Sequence, residues 1–197
     1  MWYWLLRAGA IAALKVFFNL TVEGAENLPK KSNFIIAANH ASLLDPVVIL
    51  AAIPRRIYWI AMRTLYRIKF VRWFIVRVEA VPAGRSSERL VDLLMNNKSV
   101  GLFSEGGVSR DGTLKEFKTG AALLALKTGR PVVPCAILGS YRALPRTEVF
   151  PRFSSITVKI GTPLYLLKEF EDVIDDIRLQ EGTVRIRNSI KEMIYVV

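Results

Sequence analysis

Phe34-Ile35-Ile36-Ala37-Ala38-Asn39-His40-Ala41-Ser42-Leu43-Leu44-Asp45-Pro46-Val47-Val48-Ile49-Leu50 decides the fold of this chain. Its first five residues are an unbroken apolar run that reads as a buried strand, and Val47 onward reads as the opening turns of a helix. α/β proteins tend to place their chemistry where a strand gives way in this manner, outside the carboxyl ends of the sheet. His40, the single histidine among 197 residues, stands at that junction, and Asp45 follows five residues on. Along an ideal helix, side chains five apart point about 140° from one another and would not meet. Pro46 pushes Asp45 off helical dihedrals, and Asp-Pro suits an N-cap followed by a first helical position, so residues 40–45 are expected to form a turn. A turn can fold the carboxylate back onto the imidazole, which fixes the tautomer and leaves the other ring nitrogen as a general base. The same residues admit a plainer arrangement, in which His40 bonds the backbone and Asp45 is a helix cap.

Outward from this stretch, strands are expected at 21–23, 57–61, 76–81, 100–103, 131–138 and 154–160. Helices are expected at 47–53, from Ser86 to about residue 95, over 116–128 and over 166–193, the last as a lid or flank, and Gly139-Ser140-Tyr141 is expected to open a loop. Strands alternating with helices indicate an α/β fold: a single domain with a mainly parallel central sheet flanked by helices. No internal repeat or linker interrupts it.

The single cysteine, Cys135, excludes a disulfide framework, and with one histidine beside it a zinc centre would need an unusual ligand set, so no metal is expected. Residues 1–150 carry 21 bases against 10 acids, whereas 151–197 carry seven of each, so the whole excess of +11 lies in the first three-quarters. With a mean hydropathy of +0.30, such a surface points to an anionic partner: a phospholipid membrane, a phosphorylated substrate or nucleic acid.

Residues 1–20 are mostly apolar but interrupted by Arg7 and Lys15, which argues against a spanning helix, and their order does not match a cleavable signal. Trp2, Tyr3 and Trp4, with two spaced bases and no acid before Glu23, are expected to form an N-terminal helix lying in the membrane interface. Its loss is expected chiefly to weaken membrane association. Residues 46–78 contain no acid and interleave seven bases with Tyr58, Trp59, Tyr66, Phe70, Trp73 and Phe74, a mixture suited to lipid headgroups. It would also suit single-stranded nucleic acid, but no nucleic-acid motif accompanies it, so that partner is not expected.

The stretch Phe103-Ser104-Glu105-Gly106-Gly107-Val108-Ser109-Arg110-Asp111-Gly112 is a loop whose glycines let backbone approach a ligand, with Arg110, Lys115 and Lys118 close by to hold a phosphate. It lacks the pattern of a P-loop, and a simple hairpin turn is the alternative.

Taken together and in order, Asn39-His40-x4-Asp45, Phe103-Ser104-Glu105-Gly106, Phe117-Lys118-Thr119-Gly120 and Val132-Val133-Pro134 resemble the blocks of the glycerophospholipid acyltransferase family across about residues 20–165. The resemblance implies a glycerolipid acyltransferase-like fold over 21–197, preceded by the interfacial helix at 1–20. It implies that His40 is the general base on the free hydroxyl of a lysolipid and that Asp45 orients it. The hydroxyl then attacks an acyl thioester, on coenzyme A or acyl carrier protein as co-substrate, with no further cofactor and no covalent acyl-enzyme. Glu105, Gly106, Gly107, Ser109, Arg110 and Lys118 would shape the acceptor site, with Arg85 as the arginine that ends the family's second block. Gly107 and Val108 stand where the family has Thr and Arg, so Arg110 or Lys118 would have to supply the missing charge. The implied acceptor is 1-acylglycerol-3-phosphate, giving phosphatidic acid, at the cytoplasmic face of a membrane by a monotopic enzyme. Another lysophospholipid acceptor, or a non-catalytic lipid- or nucleic-acid-binding module, are the alternatives.

Overall fold

The computed structural model describes residues 2–84, 86–168 and 174–195. In chain order the elements are α1 (Trp2–Phe18), β1 (Thr21–Glu23), β2 (Ile35–Ala38), α2 (Asp45–Ala52), β3 (Ile57–Ala61), α3 (Lys69–Arg77), β4 (Val81–Pro82), α4 (Ser86–Met95), β5 (Ser99–Phe103), α5 (Gly120–Thr128), β6 (Val132–Leu138), α6 (Ser140–Ala143), β7 (Thr157–Ile160) and α7 (Asp176–Tyr195). Among the described residues, seven strands form one sheet in the order β1-β7-β6-β2-β5-β3-β4. Every neighbouring pair is parallel except β6 and β7. The expected α/β domain is therefore present, with β2 at the centre.

Burial explains why β2 reads as a continuous apolar run. Ile36 and Ala38 face a core built with α1 and α2, whereas Ile35 and Ala37 face a second core built with α4, α5 and α7. Both faces are covered, so neither set alternates with polar residues.

Four sequence expectations shift. Residues 76 and 77 close α3 instead of opening a strand, and β4 is confined to Val81–Pro82; the apolar pair Ile75-Val76 obscured a helical pattern in which Phe70, Trp73, Phe74 and Arg77 recur every three or four residues. Residues 116–119 are not helical, because the Lys118 amide crosses to the Ser104 carbonyl at 2.8 Å, and α5 starts at Gly120. Ser140 begins a one-turn helix where a loop was expected. The final helix starts at Asp176, with Leu166–Lys168 outside it and 169–173 outside the described residues, and packs against α5 and β6 as a flank.

α1 buries Tyr3, Ala10, Leu14 and Phe18 against the domain and leaves Trp2, Trp4, Leu5, Val16 and Phe17 exposed. Arg7, which breaks its apolar run, donates to the carbonyls of Ala51 and Ile53 at 3.1 Å each and so caps the end of α2. No described helix is long and apolar enough to cross a membrane. Because α1 supplies part of the core, deleting residues 1–20 would uncover α2, and weakened membrane association is not its chief expected consequence.

Candidate active site

The expected turn forms. Residues 39–44 are non-helical, Leu44 is the N-cap of α2, and the helix opens with Asp45 and Pro46. Asp45 does not cap its helix with its side chain. Instead its carboxylate turns back, and Oδ2 accepts from the amides of Ala41 at 2.7 Å and Ser42 at 2.8 Å and lies 2.9 Å from His40 Nδ1. Asp45 is fully buried, so this carboxylate is held by three donors away from water. With Nδ1 so engaged, the proton sits there and Nε2 is the ring nitrogen left to accept.

Neighbouring strands fix the turn. The Asn39 side chain exchanges two hydrogen bonds with the backbone of Ile137 on β6, at 2.7 and 3.0 Å. Ser109 donates its amide to the His40 carbonyl at 2.7 Å, and Ser42 donates its hydroxyl to the Leu144 carbonyl at 2.7 Å. The imidazole stacks on Phe103, with centroids 4.0 Å apart, and Phe103 stacks on Trp59 at 4.9 Å. Trp59 lies flat against Gly101, its register partner on β5, where an added Cβ would come within 2.8 Å of the indole. Gly101→Ala is therefore expected to displace the column Trp59–Phe103–His40, costing about 1–3 kcal/mol as overpacking does. Its thermal unfolding, read beside turnover, checks this; an unchanged Tm would mean that the indole has room to move.

Glu105 is buried beneath the turn. Its Oε1 accepts from the His40 amide at 2.8 Å and its Oε2 from the Lys115 amide at 3.4 Å. Both oxygens are thus turned toward the protein, and the geometry gives Glu105 a holding role. Burial pushes its carboxyl above the usual range, against the opposing pull of those amides and of nearby positive charge. The folded chain then keeps the proton to higher pH than the unfolded chain does. The resulting stability is complete below the ordinary value of 4.5 and is lost as pH rises through the folded value. Glu105→Gln removes this dependence, so the Tm difference between wild type and variant should be most favourable to wild type near pH 4 and shrink toward neutrality. A difference constant with pH would refute it.

His40 opens onto a cavity of about 640 Å³ between α2, α3 and β3, walled mainly by apolar side chains and reaching Tyr3 of α1. Gly106, Gly107, Val108 and Lys118 line its mouth beside His40. Gly106 has φ +73°, and a Cβ there would fall on the Lys118 side chain, so glycine lets that amine lie along the loop. Among the described residues, Lys118 is the lysine or arginine lining the cavity. Arg110 is exposed and does not line it; its carbonyl accepts from the Tyr141 hydroxyl. The Ser109 hydroxyl is spent on the Asp111 carboxylate and the Thr113 carbonyl. The Thr113 hydroxyl and amide, joined by the Ser109 hydroxyl, hold the Asp111 carboxyl down to about 2. Arg85 lies outside the described residues.

Sequence reasoning missed Trp59, Phe103 and Asn39 as supports of His40. Asn39 and Phe103 were signalled by their places, immediately before the histidine and at the head of the Glu-Gly loop respectively. Cys135 is fully buried on β6, and burial pushes its thiol up to about 12, so it offers no nucleophile. No cluster of metal-ligating side chains occurs among the described residues.

A family model described as Acyltransferase matches residues 19–138. Similar proteins include the 1-acyl-sn-glycerol-3-phosphate acyltransferase of Borreliella burgdorferi, 28% identical over 80% of this chain and 65% of that protein. The chloroplastic enzyme of the same description from Arabidopsis thaliana is 28% identical over 83% of this chain and 48% of its own length. That of Bacillus subtilis is 29% identical over 92% and 93%. This chain thus spans about half to two-thirds of the first two. The crystal structure of the 1-acyl-sn-glycerophosphate acyltransferase PlsC from Thermotoga maritima superposes with a TM-score of 0.80 at 29% identity, over 97% of this chain and 79% of that one.

Proposed function

The chain belongs to the Acyltransferase family, and from that premise we propose that it moves a fatty acyl group from a thioester to the free hydroxyl of 1-acylglycerol-3-phosphate. The observation that carries this is the His40–Asp45 pair at the mouth of a long apolar cavity. Nε2 of His40 takes the proton of the acceptor hydroxyl as its oxygen attacks the thioester carbonyl. The C–S bond then breaks, and the departing thiolate receives that proton from the imidazolium. The buried Asp45 carboxylate stabilises the imidazolium between the two steps. Acyl-CoA or acyl carrier protein supplies the thioester, and no other cofactor is needed for this balance.

The apolar cavity accommodates a hydrocarbon chain, each buried methylene contributing about 0.8 kcal/mol. The position of Lys118 on the cavity wall supports it as the partner of the acceptor phosphate in the absence of an arginine at position 108. Lys118→Met is expected to raise KM for the phosphate-bearing acceptor about tenfold or more, with a smaller change in kcat. Equal KM values for wild type and variant would remove Lys118 from the acceptor site.

The exposed apolar face of α1 and the acid-free stretch 46–78 support association with one membrane leaflet, consistent with an acceptor that resides there.

The deciding assay is transfer of labelled acyl groups from acyl-CoA and acyl carrier protein to a panel of lysolipids. Product from lysophosphatidic acid supports the reading. Product from other lysophospholipids alone would move the acceptor while keeping the chemistry, and no product from any would overturn it.

A further inference from the structure

The loop between β6 and β7 presents three large apolar side chains to solvent: Val149 is 83% exposed, Phe150 82% and Phe153 83%. Its backbone is not loose. The Arg152 amide donates to the Ala143 carbonyl at 2.7 Å, and the Ile156 amide to the Phe18 carbonyl at 2.9 Å. Gly139, at φ +81°, lets the chain leave β6 so close to Ser155 that a Cβ would fall on its carbonyl oxygen. The apolar tips are therefore held outward by their anchors. Burying such side chains is worth about 1.5–3 kcal/mol each, so a fixed display of three is a surface awaiting a cover.

The patch continues onto α1. Phe17 lies 6.0 Å from Phe153, centroid to centroid, and is 51% exposed, with Val16 beside it at 75%. Exposed bases flank it: Lys15, Arg142, Arg146 and Arg152. Between residues 139 and 156 there are three bases and one acid, Glu148, which pairs with Arg152. Apolar tips ringed by cations match a bilayer with anionic headgroups, where rings enter the acyl boundary and bases remain at the phosphates.

Topology sets the orientation. The loop leaves the carboxyl end of β6, the edge at which His40 follows β2 and Ser104 follows β5. Leu43 in the catalytic turn, Met62 at the cavity mouth and Ile68 before α3 are each half-exposed along that edge. We propose that the 149–153 loop, together with Val16 and Phe17, inserts into an anionic leaflet and so turns the catalytic edge, with its cavity mouth, toward the lipid. The proposal rests on the membrane reading above and extends it from the end of α1 to a second contact, the 149–153 loop, which is remote in sequence from α1 and residues 46–78.

The test places a bimane fluorophore at Phe150→Cys in the full chain, Cys135 being buried and unreactive, with Glu26→Cys at the opposite edge of the sheet as control. Each is mixed with vesicles of phosphatidylcholine and phosphatidylglycerol, with and without a nitroxide lipid. A blue shift with quenching at 150 but not at 26 is the expected result. Phe150→Ser/Phe153→Ser should partition to those vesicles at least tenfold more weakly while turning over detergent-dispersed substrate as wild type does. Sedimentation with vesicles while position 150 stays in water overturns the loop's role and leaves the membrane reading standing. No sedimentation at all overturns both. A shift that needs no vesicles and grows with protein concentration assigns the patch to a second copy of the chain, and also overturns the proposal.

Discussion

His40→Ala is expected to lower acyl transfer by about 10³-fold or more, with thermal stability close to wild type. General-base catalysis contributes typically about 10²–10⁴, and among the described residues no other histidine and no accessible cysteine borders the cavity to replace it. The fold should tolerate the change because the turn is held by its neighbours: Asp45 still accepts from Ala41 and Ser42, and Glu105 still accepts from the amide of residue 40. Vesicle binding should be unaltered. A variant that keeps a tenth or more of wild-type turnover would refute His40 as the base.

Asp45 has the second largest expected effect, and its two substitutions should differ. All three donors converge on Oδ2, whereas Oδ1 is buried with no partner among the described residues. Asp45→Asn can therefore keep a carbonyl oxygen where Oδ2 was, facing Nδ1 and both amides. The tautomer survives, but the negative charge opposite the imidazolium is lost and an NH2 group takes the place of Oδ1. We expect turnover to fall about 10²-fold, with KM little changed and a modest loss of Tm. Asp45→Ala removes the acceptor altogether. Two buried amides are orphaned at about 1–3 kcal/mol each, and the imidazole is free to rotate. We expect the activity of Asp45→Ala to approach that of His40→Ala, with a Tm lower by many degrees. Equal activity in the two Asp45 variants would mean that charge, rather than geometry, is the whole of its contribution.

Much of this was legible in the chain. A run of five apolar residues broken by Asn-His has the length and reading of a strand covered on both faces and locates the central strand, and Pro46 forces the turn that lets Asp45 reach back. The helix at 69–77 was harder to read because its bases and aromatics alternate with apolar residues that also suit a strand, and packing decided between them. Lys118 and Arg110 are equivalent on paper; the crossing bond from the Lys118 amide to Ser104 distinguishes them, and such a contact between separated segments leaves no local signature. Trp59 carries no motif at all. Its role arises from a glycine opposite it on the next strand, a pairing that depends on register.

The reversal at β7 carries a consequence for how this architecture can vary. Because β6 and β7 are adjacent antiparallel neighbours, the ends of the segment joining them are fixed side by side whatever its length. Closing such a segment costs only about 0.6 kcal/mol more for each doubling of its residues. Residues 145–151, between the Leu144 carbonyl that holds Ser42 and the anchored Arg152 amide, can therefore grow, shrink or change composition with little tax on the folding of the sheet, while α2, buried and hydrogen-bonded to its neighbours, cannot. Adaptation of the proposed lipid contact thus has a place to accumulate that leaves the His40–Asp45 geometry untouched.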